Sequence, residues 1–150
     1  MNVEEKILKE FDNKYNLYMQ LETKISTLIK YLLDKNNIAV HNVDHRTKKI
    51  ESLSKKIERN KTRVIYGEKD VIEYKTLTDI TDITGFRIIT YLESTIDQVS
   101  ELIKEEFNID VENSVDKKML LAENQFGYRS VHYIVTINKA KINLPEYADF

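Results

Sequence analysis

Between Val3 and about Leu33, the residues Ile7, Phe11, Tyr15, Tyr18, Leu21, Ile25, Leu28 and Leu32 recur at steps of three and four. That spacing lines one face of an α-helix with apolar groups. A helix this long with so continuous a stripe has to cover it, so the stripe is predicted to be core, with a partner-helix role as the lesser reading. The chain has 150 residues, 41% hydrophobic and 32% charged, which suits one ordinary globular domain. A domain of this size buries roughly 70% of its unfolded surface.

The absence of cysteine rules out disulfides and thiolate metal sites and suits a reducing cytosol. No run of about 18 apolar residues occurs, and the N-terminal MNVEEKILKEF is acidic and amphipathic where a secretory signal is basic and then apolar. A cytoplasmic location without a membrane span is therefore expected. The net charge of −2 supplies no general basic field, so polyanions have to be met by a local cluster, and DNA is not an expected partner.

After the helix, DKNNI (34–38) reads as a turn and IAVHNVDHR as a short strand with a polar end. IESLSKKI (50–57) returns to helical steps, and residues 60–78, with Gly67 inside YGEKD, read as a mobile connector. TGFRIITYL (84–92) reads as a strand and TIDQVSELIKEEF (95–107) as a helix with Ile96, Val99, Leu102, Ile103 and Phe107 on one face. NIDVENSV and SVHYIVTIN read as two further strands. This order predicts an α/β or α+β sheet layered by helices. Gly85 and Gly127 stand just before polar-headed strands, where a residue without Cβ permits a tight turn or close ligand approach.

Three stretches carry chemistry. HRTKKIESLSKKIERN (45–60) gathers Arg46, Lys48, Lys49, Ser52, Lys55, Lys56 and Arg59. Cations, a hydroxyl donor and a helix N-terminus are what a polyphosphate requires, although a solvated basic face is the plainer reading. In DITDITGFR, Asp79 and Asp82 precede a strand that carries Arg87. A carboxylate there suits Mg²⁺ bridging phosphate oxygens, against an Asx turn or helix cap for one Asp and a surface ion pair for Arg87. In FGYRSVHYIV, Ser130, His132 and Ile134 share one face of a strand. Two residues apart on a strand is not a nucleophile elbow, so a hydrolase is not favoured. A ring stacking on a nucleobase is the alternative to a surface Tyr128, and an imidazole donating to its ribose or phosphates the alternative to a half-buried His132.

Taken in order and spacing, R-T-K-K-I-E-S-L-S-K-K, D-I-T-G-F-R-I and F-G-Y-R-S-V-H resemble the RelA/SpoT-type synthetase domain, over about residues 38–150. The resemblance implies a nucleotidyltransferase-like α/β (α+β) fold: a mixed, largely antiparallel sheet flanked by helices, with residues 1–36 as a helical lead-in and 37–150 as the synthetase domain. It also implies a GTP pyrophosphokinase of the stringent response, moving pyrophosphate from ATP to the 3′-hydroxyl of GDP or GTP to make the alarmones ppGpp and pppGpp. By the same resemblance, Arg46 and Arg87 sandwich adenine, Lys48, Ser52 and Lys56 hold the ATP phosphates, and Asp82 holds Mg²⁺, or Mn²⁺ in its place. Tyr128 stacks on guanine and His132 lies near the acceptor.

The sequence departs from the family pattern in two places. The usual Pro-Lys pair before the G-Y-x-S-x-H glycine is replaced by LAENQFG, so Lys117 or Lys118 is expected to meet the acceptor phosphates. The family's E-x-Q-x-R segment is not found before the chain stops at LPEYADF, and Glu146 does not fit it. An incomplete domain with impaired turnover is therefore expected, with an exposed sheet edge favouring a dimer or tetramer. A relative that pyrophosphorylates the 3′ end of tRNA, and a non-catalytic nucleotide-binding module, are the alternative readings. HNVDHR supplies His41, Asp44 and His45 but not a metal phosphohydrolase set, so these are expected to be structural or peripheral.

Overall fold

The computed structural model describes residues 1–119 and 128–138, with the backbone alone at 116–119 and 128. It is α+β. A long helix α1 (Val3–Lys35) is followed by strand β1 (Asn42–Thr47), helix α2 (Ile50–Ile65), a short 3₁₀ turn (Leu77–Asp79) and strand β2 (Thr84–Ile89). Helix α3 (Glu93–Glu106), β3 (Phe107–Met119) and β4 (Tyr128–Ile137) complete the order. The mixed sheet expected from the sequence is seen, among the described residues, as two two-stranded ladders, β1–β2 and β3–β4. Both are antiparallel: β3 and β4 pair directly, and hydrogen bonds from the His41 N–H to the Ile89 carbonyl and from the Lys48 N–H to the Ile83 carbonyl run β1 against β2.

Local chemistry sets the helix ends. At the start of α1, the Asn2 side chain accepts from the Glu5 N–H and Glu5 accepts from the Asn2 N–H, a reciprocal cap. At its end Asn37 takes a left-handed φ of 54°, while the Ile38 N–H reaches the Leu33 carbonyl and the Asn37 N–H reaches that of Asp34. This pattern closes a helix and consumes two of its orphan carbonyls. Beyond it, Ile38 to His41 is not strand, so β1 starts later than its β-branched residues predict.

The chain divides into two compact units, Met1–Lys24 with His45–Gly85, and Ile25–Asp44 with Phe86–Phe150. The first has a single apolar core in which Ile7 and Phe11 of α1 meet Leu53 and Ile57 of α2 and Leu77, Ile80 and Ile83 of the segment leading into β2; Leu8, Tyr15, Tyr18 and Tyr74 pack around it. In the second unit α3 packs on β3 and β4, with Val99 and Phe107 buried. The α1 stripe is core as predicted, although its deepest residues at the C-terminal end are Ile25, Ile29 and Leu33. Leu28 and Leu32 are half-buried.

Residues 60–78 are not a loose connector. Helix α2 continues to Ile65, and Gly67, at φ 65°, ends it in the same way as Asn37 ends α1, with the Glu68 N–H on the Arg63 carbonyl and the Gly67 N–H on that of Val64. The next residues are tied down by Asn60, which is buried on α2. Its amide donates to the Ile72 carbonyl at 2.7 Å and accepts from the Tyr74 N–H at 3.0 Å. One side chain thus satisfies two backbone groups of an irregular segment, which a hydropathy pattern does not reveal. Asn60→Ala leaves both groups without that partner and is expected to cost about 1–3 kcal/mol in urea unfolding. The exposed neighbour substitution Glu58→Ala should stay within about 0.5 kcal/mol. Equal, small effects of the two would contradict the anchoring role.

Candidate functional site

In the first unit, β1 delivers Lys48 to the start of α2. The Lys48 N–H is fixed on the Ile83 carbonyl at 2.7 Å, and Lys49, in extended conformation, caps the helix. Leu53 and Ile57 turn inward to the core, which leaves Ser52 and Lys56, four residues apart, on a neighbouring side of α2. Asp82 lies between the buried Ile80 and Ile83. Its Oδ2 accepts from Lys56 Nζ at 2.9 Å and lies 3.4 Å from Lys48 Nζ. Lys48 is held tightly, with 12% of its side chain exposed against 40% for Asp82. Ser52 is exposed in the first turn of α2, beside the N–H groups that a helix N-terminus offers to anions.

Burial pushes the Asp82 carboxyl upward, but the Lys56 hydrogen bond and charge, followed by those of Lys48, outweigh it and bring the group below the ordinary carboxylate value. The other oxygen, Oδ1, is buried and has no hydrogen-bond partner. A buried, ionised carboxylate oxygen left free beside two ammonium groups fits a Mg²⁺ ion, which takes one or two carboxylates and completes its shell with water and phosphate oxygens. Asp79 has a different role: its Oδ2 accepts from the Lys75 and Thr76 N–H groups, both at 2.9 Å, and caps the 3₁₀ turn. Of the two carboxylates in DITD, only Asp82 faces the lysines.

Arg46 is exposed on β1, and its guanidinium lies over Gly85 of β2, 3.9 Å from where a Cβ would stand. Gly85 has no positive φ, so neither a tight turn nor strain calls for glycine there. A Cβ there would meet the Arg46 head at ordinary contact distance, so the arginine rests over this position without requiring a bare backbone. On either side of Arg46, His45 Nδ1 lies 2.7 Å from Glu22 Oε1 and Thr47 Oγ1 donates to Glu22 Oε2 at 2.6 Å. Burial pushes the Glu22 carboxyl up, while its bonds to Thr47 and His45 more than offset this and leave it lowered. Sequence reading passed over Glu22. The signal was present, because a glutamate sits four residues after Tyr18 and three before Ile25, on the apolar face of α1.

In the second unit Arg87 is exposed on β2. On β4, Ser130 Oγ and His132 Nε2 are 2.8 Å apart, as their shared face predicts. A bulge between Asp110 and Val115 sets the pairing beyond it: Lys117 stands across the ladder from Ser130, and Lys118 from Arg129, whose guanidinium pairs with Asp97. Of the two lysines, Lys117 is the one in register with the Ser130–His132 pair. Tyr128 opens β4 opposite Met119; its side chain and those of Lys117 and Lys118 lie outside the described residues, as does Gly127 with the rest of LAENQFG. The remaining histidine candidates do not converge. His41 meets the Tyr91 hydroxyl at 3.2 Å and Asp44 accepts from Asn42, and no three metal-ligating side chains gather among the described residues.

The Asp82 ion pairs contribute stability that is present above the carboxyl's unfolded pKa and is lost as pH falls through its lowered folded value. Lys56→Met is expected to move the Asp82 midpoint upward in a carboxyl-carbon NMR titration and to shift the acid limb of unfolding toward higher pH. An Asp82 midpoint unmoved by this substitution would show that the pairing does not persist in solution.

No described helix is long and apolar enough to cross a membrane. A search of curated proteins returned no match. A family model described as the region found in RelA / SpoT proteins matches residues 45–146, a span that begins at His45, takes in the Arg46–Lys56 stretch, Asp82 and Arg87, and ends beyond His132. Because that match covers more than half of the chain, the protein belongs to the RelA/SpoT family.

Proposed function

We propose that the protein is a (p)ppGpp synthetase that transfers pyrophosphate from ATP to the 3′-hydroxyl of GDP or GTP. The observation that supports this best is Asp82, an ionised carboxylate with one oxygen held by Lys48 and Lys56 and the other buried and free. Phosphoryl-type transfer needs charge neutralisation and positioning more than covalent help from the protein. Lys48 and Lys56 supply cations for the phosphates, Ser52 a hydroxyl and the α2 N-terminus its N–H groups. Arg46 and Arg87 are each candidates to lay a flat guanidinium face on the adenine. Asp82 would hold Mg²⁺, or Mn²⁺, through its free Oδ1, and the ion would supply charge neutralisation for the transferred group.

In the reaction the 3′-oxygen forms a bond to the β-phosphorus, the bond from that phosphorus to the α–β bridging oxygen breaks, AMP leaves with the electron pair, and the 3′-hydroxyl proton passes to water. On the acceptor side Tyr128 stacks on guanine, Lys117 meets the phosphates, and His132, its ring held by Ser130, contacts the acceptor nucleotide. The family match supports the reaction class, and the Lys48–Lys56–Asp82 cluster supports the donor.

The test is incubation of the full chain with β-labelled ATP, Mg²⁺ and GDP, GTP or deacylated tRNA. Label should pass to GDP or GTP, with a loss on the order of 10²–10⁴ in rate for Asp82→Ala and a raised KM for the guanine nucleotide in Tyr128→Ala. Transfer to tRNA alone would replace the alarmone reading with RNA modification. Binding without any transfer would leave a nucleotide-binding module.

A further inference from the structure

Glu22 lies on α1, ahead of the residues matched by the RelA/SpoT family model, and its side chain is 12% exposed. A carboxylate there interrupts an apolar face, and both its oxygens are engaged by β1, Oε1 with His45 Nδ1 and Oε2 with Thr47 Oγ1. An ionised carboxylate only accepts, so the proton of the His45 contact resides on Nδ1. Residues two apart on a strand share a face, and the residue between them points the other way. Gripping His45 and Thr47 together therefore fixes the rotation of β1 about its axis at Arg46. Thr47 Oγ1 also lies 3.3 Å from Thr84 Oγ1, next to Gly85, over which the Arg46 guanidinium rests. The same hydroxyl thus registers the strand that carries the arginine against the strand that seats it.

We infer that Glu22 is a positioning residue for nucleotide binding: through His45 and Thr47 it holds Arg46 over Gly85, presenting a flat guanidinium to a planar base. The inference rests on Arg46 as an ATP contact, as proposed above, yet the positioning can be read without any nucleotide. No basic group of Arg46 needs a partner for this, because the guanidinium is aimed by the strand beneath it and its stacking face stays open. The benefit is preorganisation, since an arginine already ordered loses less freedom when a ring docks on it.

Two measurements test this. The first is the ¹⁵Nε relaxation of Arg46 in the nucleotide-free chain, which should report an ordered side chain in the wild type and a more mobile one in Glu22→Leu and Thr47→Val. Glu22→Leu continues the apolar stripe of α1 and Thr47→Val keeps the volume of the side chain, so the fold should survive both. Glu22→Gln, which retains an acceptor for Thr47, should recover much of the order. The second is a double-mutant cycle on the affinity for a non-transferable ATP analogue. Glu22→Leu should weaken binding about tenfold alone and have little further effect in an Arg46→Ala background. Unchanged Arg46 relaxation in both Glu22→Leu and Thr47→Val, or additive effects in the cycle, would overturn the inference. Failure of the wild-type chain to bind the analogue would count against the ATP reading, while the relaxation arm would still decide the role of Glu22.

Discussion

Burial of the first half of α1 against α2 and the segment entering β2 is the interaction on which the rest of the first unit depends. Ile7 and Phe11 meet Leu53, Ile57, Leu77, Ile80 and Ile83 in a single core. The last two bracket Asp82, so the same packing that excludes water from the apolar side chains presses one carboxylate toward α2. Helical geometry does the remainder: with Leu53 and Ile57 committed inward, Lys56 is carried to the edge of the core, where it meets Asp82 at 2.9 Å. A hydrophobic constraint thereby produces an electrostatic site.

That site is stable because its charges are mutually satisfied. A half-buried carboxylate is disfavoured on its own, and Lys48 and Lys56 lower its pKa despite the burial. Two ammonium groups on one oxygen leave the cluster with surplus positive charge, a favourable setting for polyphosphate. Oδ1, the oxygen without a hydrogen-bond partner, is the one a divalent cation would use. Asp79, three residues earlier, lacks this role for a plain reason: it is consumed by two backbone N–H groups.

Much of this was legible from residue order. The stripe from Ile7 onward predicts a helix because its period does, and Arg46, Lys48, Ser52, Lys56 and Asp82 stand out because their side chains are the ones phosphate chemistry uses. Residues 60–78 read as a connector in the sequence because the features that order them are a buried amide and a left-handed glycine, neither of which leaves a periodic trace. Glu22 was overlooked for a related reason. A charged residue on an apolar face acquires meaning only when its partner, 23 residues further along, is known.

Residue order alone carries the class of side chains available, the helical period of α1 and α2, the two-residue alternation that sets Ser130 and His132 on one face, and the family motifs. Those are local properties, dictated by backbone geometry and side-chain chemistry within a few residues. Which carboxylate meets the lysines, where Arg46 rests, and which lysine stands across from Ser130 follow instead from the folded arrangement. The last case shows the reason most clearly. Between Asp110 and Val115, β3 uses four residues where β4 uses one, an odd excess that exchanges the two faces of the ladder and brings Lys117 rather than Lys118 into register with Ser130. Such a choice is made by pairing between distant segments, and no period read along a single strand contains it.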